Sequence, residues 1–201
     1  MDVKGFHTSS TDGGWSFIRE NAPFLSGSGK NQWLTQGFYF WTDSYYFAHE
    51  WGKKSISGDY AITECILEIE RPYLLDLVGS VEHQLYFKKL LTKYQIKLNK
   101  ITDKPTEPTV QAVIEYYRRI EANKQKQNGL FPFIAIKAQD NYTERNILFT
   151  NQRREKLPLV TRQQLCLFEK GYHCLKSKRI IYPPTFKEKV DDVISKTRER
   201  K

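Results

Sequence analysis

The sequence contains no apolar run approaching the ~20 residues that a membrane-spanning helix requires. Its opening residues, Met1-Asp2-Val3-Lys4-Gly5, lack the charged-then-apolar order of a signal peptide. A cytoplasmic protein that makes no use of a membrane is therefore expected. Cysteine is scarce: Cys65, Cys166 and Cys174 are odd in number and sit inside apolar runs. Buried thiols are expected, not a disulfide framework, and their spacing fits no metal site. The sequence also lacks internal repeats and low-complexity linkers, so residues 1–201 read as one domain.

Positive charge and aromatic rings are abundant. Lys and Arg outnumber Asp and Glu by 32 to 23, and the net charge of +9 produces a field that attracts phosphates. An anionic partner is favoured, against the alternative of ordinary solubilising charge. The 12 Tyr, 12 Phe and 4 Trp supply enough bulk for a core.

Along the chain, Val3 to His7 reads as a strand entering a polar loop at Thr8-Ser9-Ser10-Thr11-Asp12-Gly13-Gly14. Trp15 to Gln36 shows no regular period. Within it Ser26-Gly27-Ser28-Gly29-Lys30 is a loop without the glycine spacing of a Walker motif. Gly37-Phe38-Tyr39-Phe40-Trp41 is an aromatic strand, and a helix from Thr42-Asp43 carries Tyr45, Ala48 and Trp51 and is expected to end at Gly52. Tyr60 to Glu70 is a strand closed by Arg71-Pro72. Two helices are expected at about Val81–Leu98 and Thr109–Lys126, forming a helical insertion over 81–127. Antiparallel strands are expected at Phe131–Ala138, Asn146–Thr150, Gln164–Phe168 and Lys178–Tyr182, before a basic C-terminal helix over 185–201. The fold class is α+β.

Two stretches carry candidate chemistry. Gly5-Phe6-His7-Thr8-Ser9-Ser10 places a lone histidine where a strand gives way to small polar residues. In Gly37-Phe38-Tyr39-Phe40-Trp41-Thr42-Asp43, alternation sets Tyr39 opposite Phe38 and Phe40, so it can face a cleft while its neighbours fill the core.

Taken together, a strand ending in aromatic-His-small-Ser and a strand Gly-x-Tyr-x, followed by a helix with alanine and tryptophan, resemble the ADP-ribosyltransferase family. The resemblance is closest to its His-Tyr-Glu branch, which includes diphtheria-toxin-like enzymes, poly-ADP-ribose polymerases and small bacterial proteins of toxin or phage-defence systems. It implies a split antiparallel β-sandwich with NAD in the cleft, mono-ADP-ribosyltransferase activity, and an antitoxin or regulatory protein as a possible partner. Carried over by motif, His7 would bind ribose hydroxyls, the Thr8 backbone would grip the nicotinamide amide, and Tyr39 would stack on the nicotinamide ring.

The family's third element is a glutamate opening a late strand, and the matching stretch here is Gln164-Leu165-Cys166-Leu167-Phe168. Gln164 can hydrogen-bond the ribose but cannot ionise, so it cannot act as a general base. Transfer remains compatible with it if departure of nicotinamide dominates the barrier. Glu169, Asp140 and Glu144 are weaker substitute carboxylates. The loop Asn151-Gln152-Arg153-Arg154-Glu155-Lys156 matches the family's acceptor loop. Arg153 and Arg154 could hold phosphates or stack on bases, which tilts the acceptor toward DNA or RNA over protein. The alternative is a catalytically silent module of the same fold that binds nucleic acid or a partner protein.

Overall fold

A computed structural model of the chain describes residues 2–27, 29, 32–101, 107–123, 129–148 and 156–187. Its strands are β1 (Asp2–Ser10), β2 (Phe38–Thr42), β3 (Tyr60–Glu68), β4 (Leu74–Asp76), β5 (Ala135–Leu148), β6 (Lys156–Leu167) and β7 (Leu175–Tyr182). Its helices are α1 (Gly14–Asn21), α2 (Tyr46–Ser55), α3 (Val81–Asn99) and α4 (Val110–Ala122). The protein is α+β. The strands form one seven-stranded sheet in the order β4-β5-β6-β2-β1-β3-β7. All neighbours are antiparallel except β4 and β5.

Two separate sheets were expected, but the strands hydrogen-bond in one continuous sheet that is pinched near its middle. β1 runs in register with β3 from Asp2↔Glu68 to Ser10↔Tyr60. It meets β2 only at Gly5↔Thr42 and Phe6↔Trp41. Beyond Phe6 the register pairs stop, and β1 and β2 part. The halves still share a core: one buried cluster joins Val3, Cys65 and Leu67 to Phe38, Phe40, Leu165 and Leu167. The three cysteines are buried free thiols.

The insertion packs as part of the body. Ser80 and Thr109 cap α3 and α4 with side-chain oxygens that accept from His83 N–H and Ala112 N–H. The helices bury Phe87, Leu90, Val113, Ile114 and Tyr117 against Ile136, Ala138 and Cys166 of the sheet. Of the expected tail helix, residues 184–187 form a helical turn that brings Phe186 against Ile18, Ala22, Ala61 and Ile180. Residues 188–201 lie outside the described residues.

Other expectations are corrected. Thr8 to Ser10 continue β1, because pairing with β3 satisfies their backbone despite their polar side chains. The irregular stretch after Trp15 begins with α1, which buries Ile18 completely. Gly52 lies inside α2 instead of ending it. A Cβ there would sit 2.4 Å from a Tyr60 ring carbon, so glycine is set by close packing. The expected strands Phe131–Ala138 and Asn146–Thr150 give way to the single long β5, with residues 149 and 150 outside the described residues. Among the described residues no helix is long and apolar enough to cross a membrane.

Candidate functional site

Where β1 and β2 part, a cavity of about 850 Å³ opens toward α2 and the 24–33 segment. It is lined by residues from distant parts of the chain, among them His7, Thr8, Tyr39 and Gln164. The register explains the meeting. Trp41 of β2 stands beside Gln164 of β6, and Ala138 of β5 beside Gln164 on the other side. Side chains two residues apart share a face, so Tyr39, Trp41, Arg162 and Gln164 look the same way.

His7 is buried, and both its ring nitrogens are engaged. Nδ1 lies 2.9 Å from the Tyr39 carbonyl, and Nε2 lies 3.1 Å from the Phe24 backbone N–H. A carbonyl only accepts and an amide N–H only donates, so Nδ1 carries the proton and Nε2 the lone pair. Burial pushes the imidazole pKa down to about 4, against the opposing effect of the Tyr39 carbonyl. The ring is a neutral tie bridging the gap between the parting strands. In this arrangement it has no nitrogen spare for a ribose, which departs from the role the resemblance implies.

Thr8 Oγ1 donates to the Ala48 carbonyl at 3.0 Å and fastens β1 to α2. Tyr39 does lie opposite Phe38 and Phe40, which fill the shared core. Its ring also packs against the cluster under α3 and α4. Its hydroxyl accepts from Leu34 N–H at 3.1 Å and donates to the Thr35 carbonyl at 2.7 Å. Burial raises the phenol pKa well above its ordinary value. Gln164 Oε1 accepts from the Trp33 indole N–H at 2.8 Å. Because indole N–H only donates, this bond fixes the amide orientation: Nε2 is the end left to address the cavity, as a donor.

His7, Tyr39 and Gln164 are thus all tied to residues between Phe24 and Thr35. That segment is itself held by the insertion. Thr35 Oγ1 donates to Glu115 at 3.1 Å, and Arg118 Nη1 donates to the Gln36 carbonyl at 3.3 Å.

Sequence reasoning missed Trp33 and Arg162, whereas Trp51 of α2, part of the motif noted in the sequence, does line the cavity. Arg162 binds Asp140 through Nε at 2.6 Å and Nη2 at 2.5 Å, and its guanidinium lies 6.0 Å from the Trp41 ring centre. The available signal was the two-residue step from Gln164 to Arg162 on one strand face. Trp33 carried no comparable signal, because its place depends on a loop. Of the substitute carboxylates, Asp140 lines the cavity with Arg162. Glu169 does not continue the strand, which ends at Leu167; it opens a 3-10 turn and lines another hollow with Phe17 and Tyr172. Glu144 lies in β5, where the backbone alone is described, and Arg153 and Arg154 lie outside the described residues.

Comparison with known proteins found no family model, no curated protein and no solved structure that matches the chain.

Proposed function

We propose that this chain is a mono-ADP-ribosyltransferase that takes ADP-ribose from NAD, with nucleic acid the favoured acceptor. The observation that supports this most is the meeting of His7, Thr8, Tyr39 and Gln164 at one cavity of about 850 Å³. Three separate segments supply them, and the volume lies within the ~300–1,000 Å³ common for small-molecule sites. The donors present suit a dinucleotide. Tyr39, Trp41 and Trp51 offer ring faces, Ser9 offers a hydroxyl, and the Arg162–Asp140 ion pair lies on the cavity wall. Among the described residues the buried Ser9 hydroxyl and Gln32 Oε1 have no hydrogen-bond partner, and both residues line the cavity.

In this reading the bond between the ribose anomeric carbon and the nicotinamide nitrogen breaks, and nicotinamide leaves with the electron pair. The acceptor's lone pair then bonds that carbon and its proton passes to water. Gln164 donates to a ribose oxygen while Trp33 holds its amide. No residue need remove a proton beforehand when the nucleophile is a base nitrogen. His7 sets the separation of β1 and β2, a positioning role.

A second reading is the silent module of the same fold. It is favoured by the ties from His7, Tyr39 and Gln164 to the Phe24–Thr35 segment, together with the missing glutamate. Incubation with NAD labelled in the adenylate, alongside separate protein, RNA and DNA pools, separates the two. Transfer predicts label in one pool and its strong loss in Gln164→Ala. No label and no nicotinamide release from the wild type would leave the silent module.

A further inference from the structure

Helix α2 separates three hollows. Its C-terminal end, with Trp51 and Ser55, lines the main cavity. A small hollow of about 80 Å³ follows, sharing Trp41, Trp51, Ser55 and Arg162 with the cavity and adding Glu50 and Lys54. Glu50 also borders a third hollow of about 560 Å³, walled by Tyr45, Tyr46, His49, Lys53, Tyr60 and Tyr182. The small hollow adjoins the cavity along four shared residues and the third hollow at Glu50 alone, so the three follow one another around the helix as an interrupted groove.

This groove is unusually aromatic for a surface. Tyr45 is 54% exposed, Tyr46 43% and Trp51 41%, all on or beside a ten-residue helix. Beneath them the Tyr60 and Tyr182 rings stack at 4.8 Å and 25°, with His49 edge-on to both. Lys53 and Lys54 stand exposed on the rim and bracket Glu50 at 3.5 Å and 3.0 Å. Both lysines help hold the Glu50 carboxyl below its usual range, Lys54 most, so it stays ionised and the trio keeps one net positive charge.

We propose that this groove binds single-stranded nucleic acid, stacking bases on the tyrosines and leading the strand around α2 to the main cavity. Exposed rings supply sequence-tolerant stacking, and the lysines with the chain's net charge of +9 attract the phosphates. A duplex keeps its bases stacked on one another and cannot use the rings. An acidic peptide would engage the lysines but leave the ring faces unfilled. What is done to the strand at the cavity rests on the transferase reading, whereas its binding does not.

The test is fluorescence anisotropy with labelled 12-nucleotide single-stranded DNA and RNA, in low salt without NAD. Tyr45→Ala combined with Tyr46→Ala should weaken binding on the order of tenfold or more. Lys53→Ala combined with Lys54→Ala should lower the dependence of log affinity on log salt by about 0.7 per lost phosphate contact. Those lysines are surface groups, so they give a second readout should the tyrosine pair fold poorly. Lys89→Ala with Lys93→Ala, exposed on α3, should have little effect.

No binding by the wild type, no loss in the tyrosine and lysine pairs, or an equal loss from the α3 pair would overturn the proposal. Equally tight binding of a duplex or of an acidic peptide would overturn it too. NAD consumption is measured in parallel on the same protein preparations with NAD and the strand added. Strand binding that depends on α2 without NAD consumption removes the transferase reading alone, and NAD consumption with strand binding indifferent to α2 removes the groove alone.

Discussion

Tyr39 shows how a residue legible by alternation acquires a second task in the fold. Its ring does face away from Phe38 and Phe40, yet its hydroxyl also closes two backbone bonds to Leu34 and Thr35. Tyr39→Phe therefore leaves a part-buried N–H and carbonyl without their partner, and should lower stability by about 1–3 kcal/mol in denaturant unfolding. A Tyr39→Phe protein as stable as wild type would show that these bonds are not made in solution. His7 supplies a pH dependence. Its folded pKa of about 4 lies below the ordinary 6.5, so below pH 6.5 the unfolded chain binds the proton that the folded chain refuses. Stability from this group is full above pH 6.5 and falls toward pH 4, by about 1.4 kcal/mol per unit and on the order of 3 kcal/mol across the window. His49, also lowered by burial, acts in the same direction. Unfolding free energy measured from pH 7.5 to 4.5 should show this slope, and His7→Gln should remove the larger part. A slope unaltered in His7→Gln would mean that other groups carry it.

Among the elements, α2 is the one whose surroundings most change its meaning. Glycine inside a helix ordinarily costs up to about 1 kcal/mol against alanine, so Gly52→Ala would be expected to stabilise. Here the added Cβ would meet the Tyr60 ring, which is stacked on Tyr182 and bonded through its hydroxyl to His49 Nδ1 at 2.9 Å. A ring held on two sides cannot yield cheaply. Gly52→Ala should thus destabilise by about 1–3 kcal/mol in denaturant melts, and a gain in stability would show that the helix and Tyr60 are less closely packed than described. α2 also serves both hollows proposed to hold ligands, since Trp51 looks toward the main cavity and His49 and Lys53 toward the tyrosine pocket.

For the whole molecule, the insertion decides how far the sheet can stand alone. Read from sequence it is an addition between strands, but α3 and α4 cover Ile136, Ala138 and Cys166, and α4 holds the segment tied to Tyr39 and Gln164. Replacing 81–127 by a short flexible linker should therefore abolish cooperative unfolding, as followed by calorimetry. A truncated protein that melts cooperatively would show that the pinched sheet is self-sufficient. The pinch itself has a structural consequence: a sheet joined at Gly5↔Thr42 and Phe6↔Trp41 can part beyond them without losing its shared core, and the parting makes the cavity.

The sequence by itself determined the α+β class, an aromatic strand read at Gly37–Trp41 and found at Phe38–Thr42, the two helices of the insertion and the burial of the cysteines, because each depends on local periodicity or on the partition of apolar side chains from water. It also marked His7, Tyr39 and Gln164, through residue types and order. Only the tertiary structure decided that β5 runs unbroken, that Gly52 is a packing glycine, and that Glu169 points to a separate hollow. It likewise turned His7 into a tie and fixed the amide of Gln164 by Trp33, a residue 131 positions away. Those outcomes depend on hydrogen-bond partners and ring contacts brought together by strand register and loop closure, and neither is encoded in the period of any single segment.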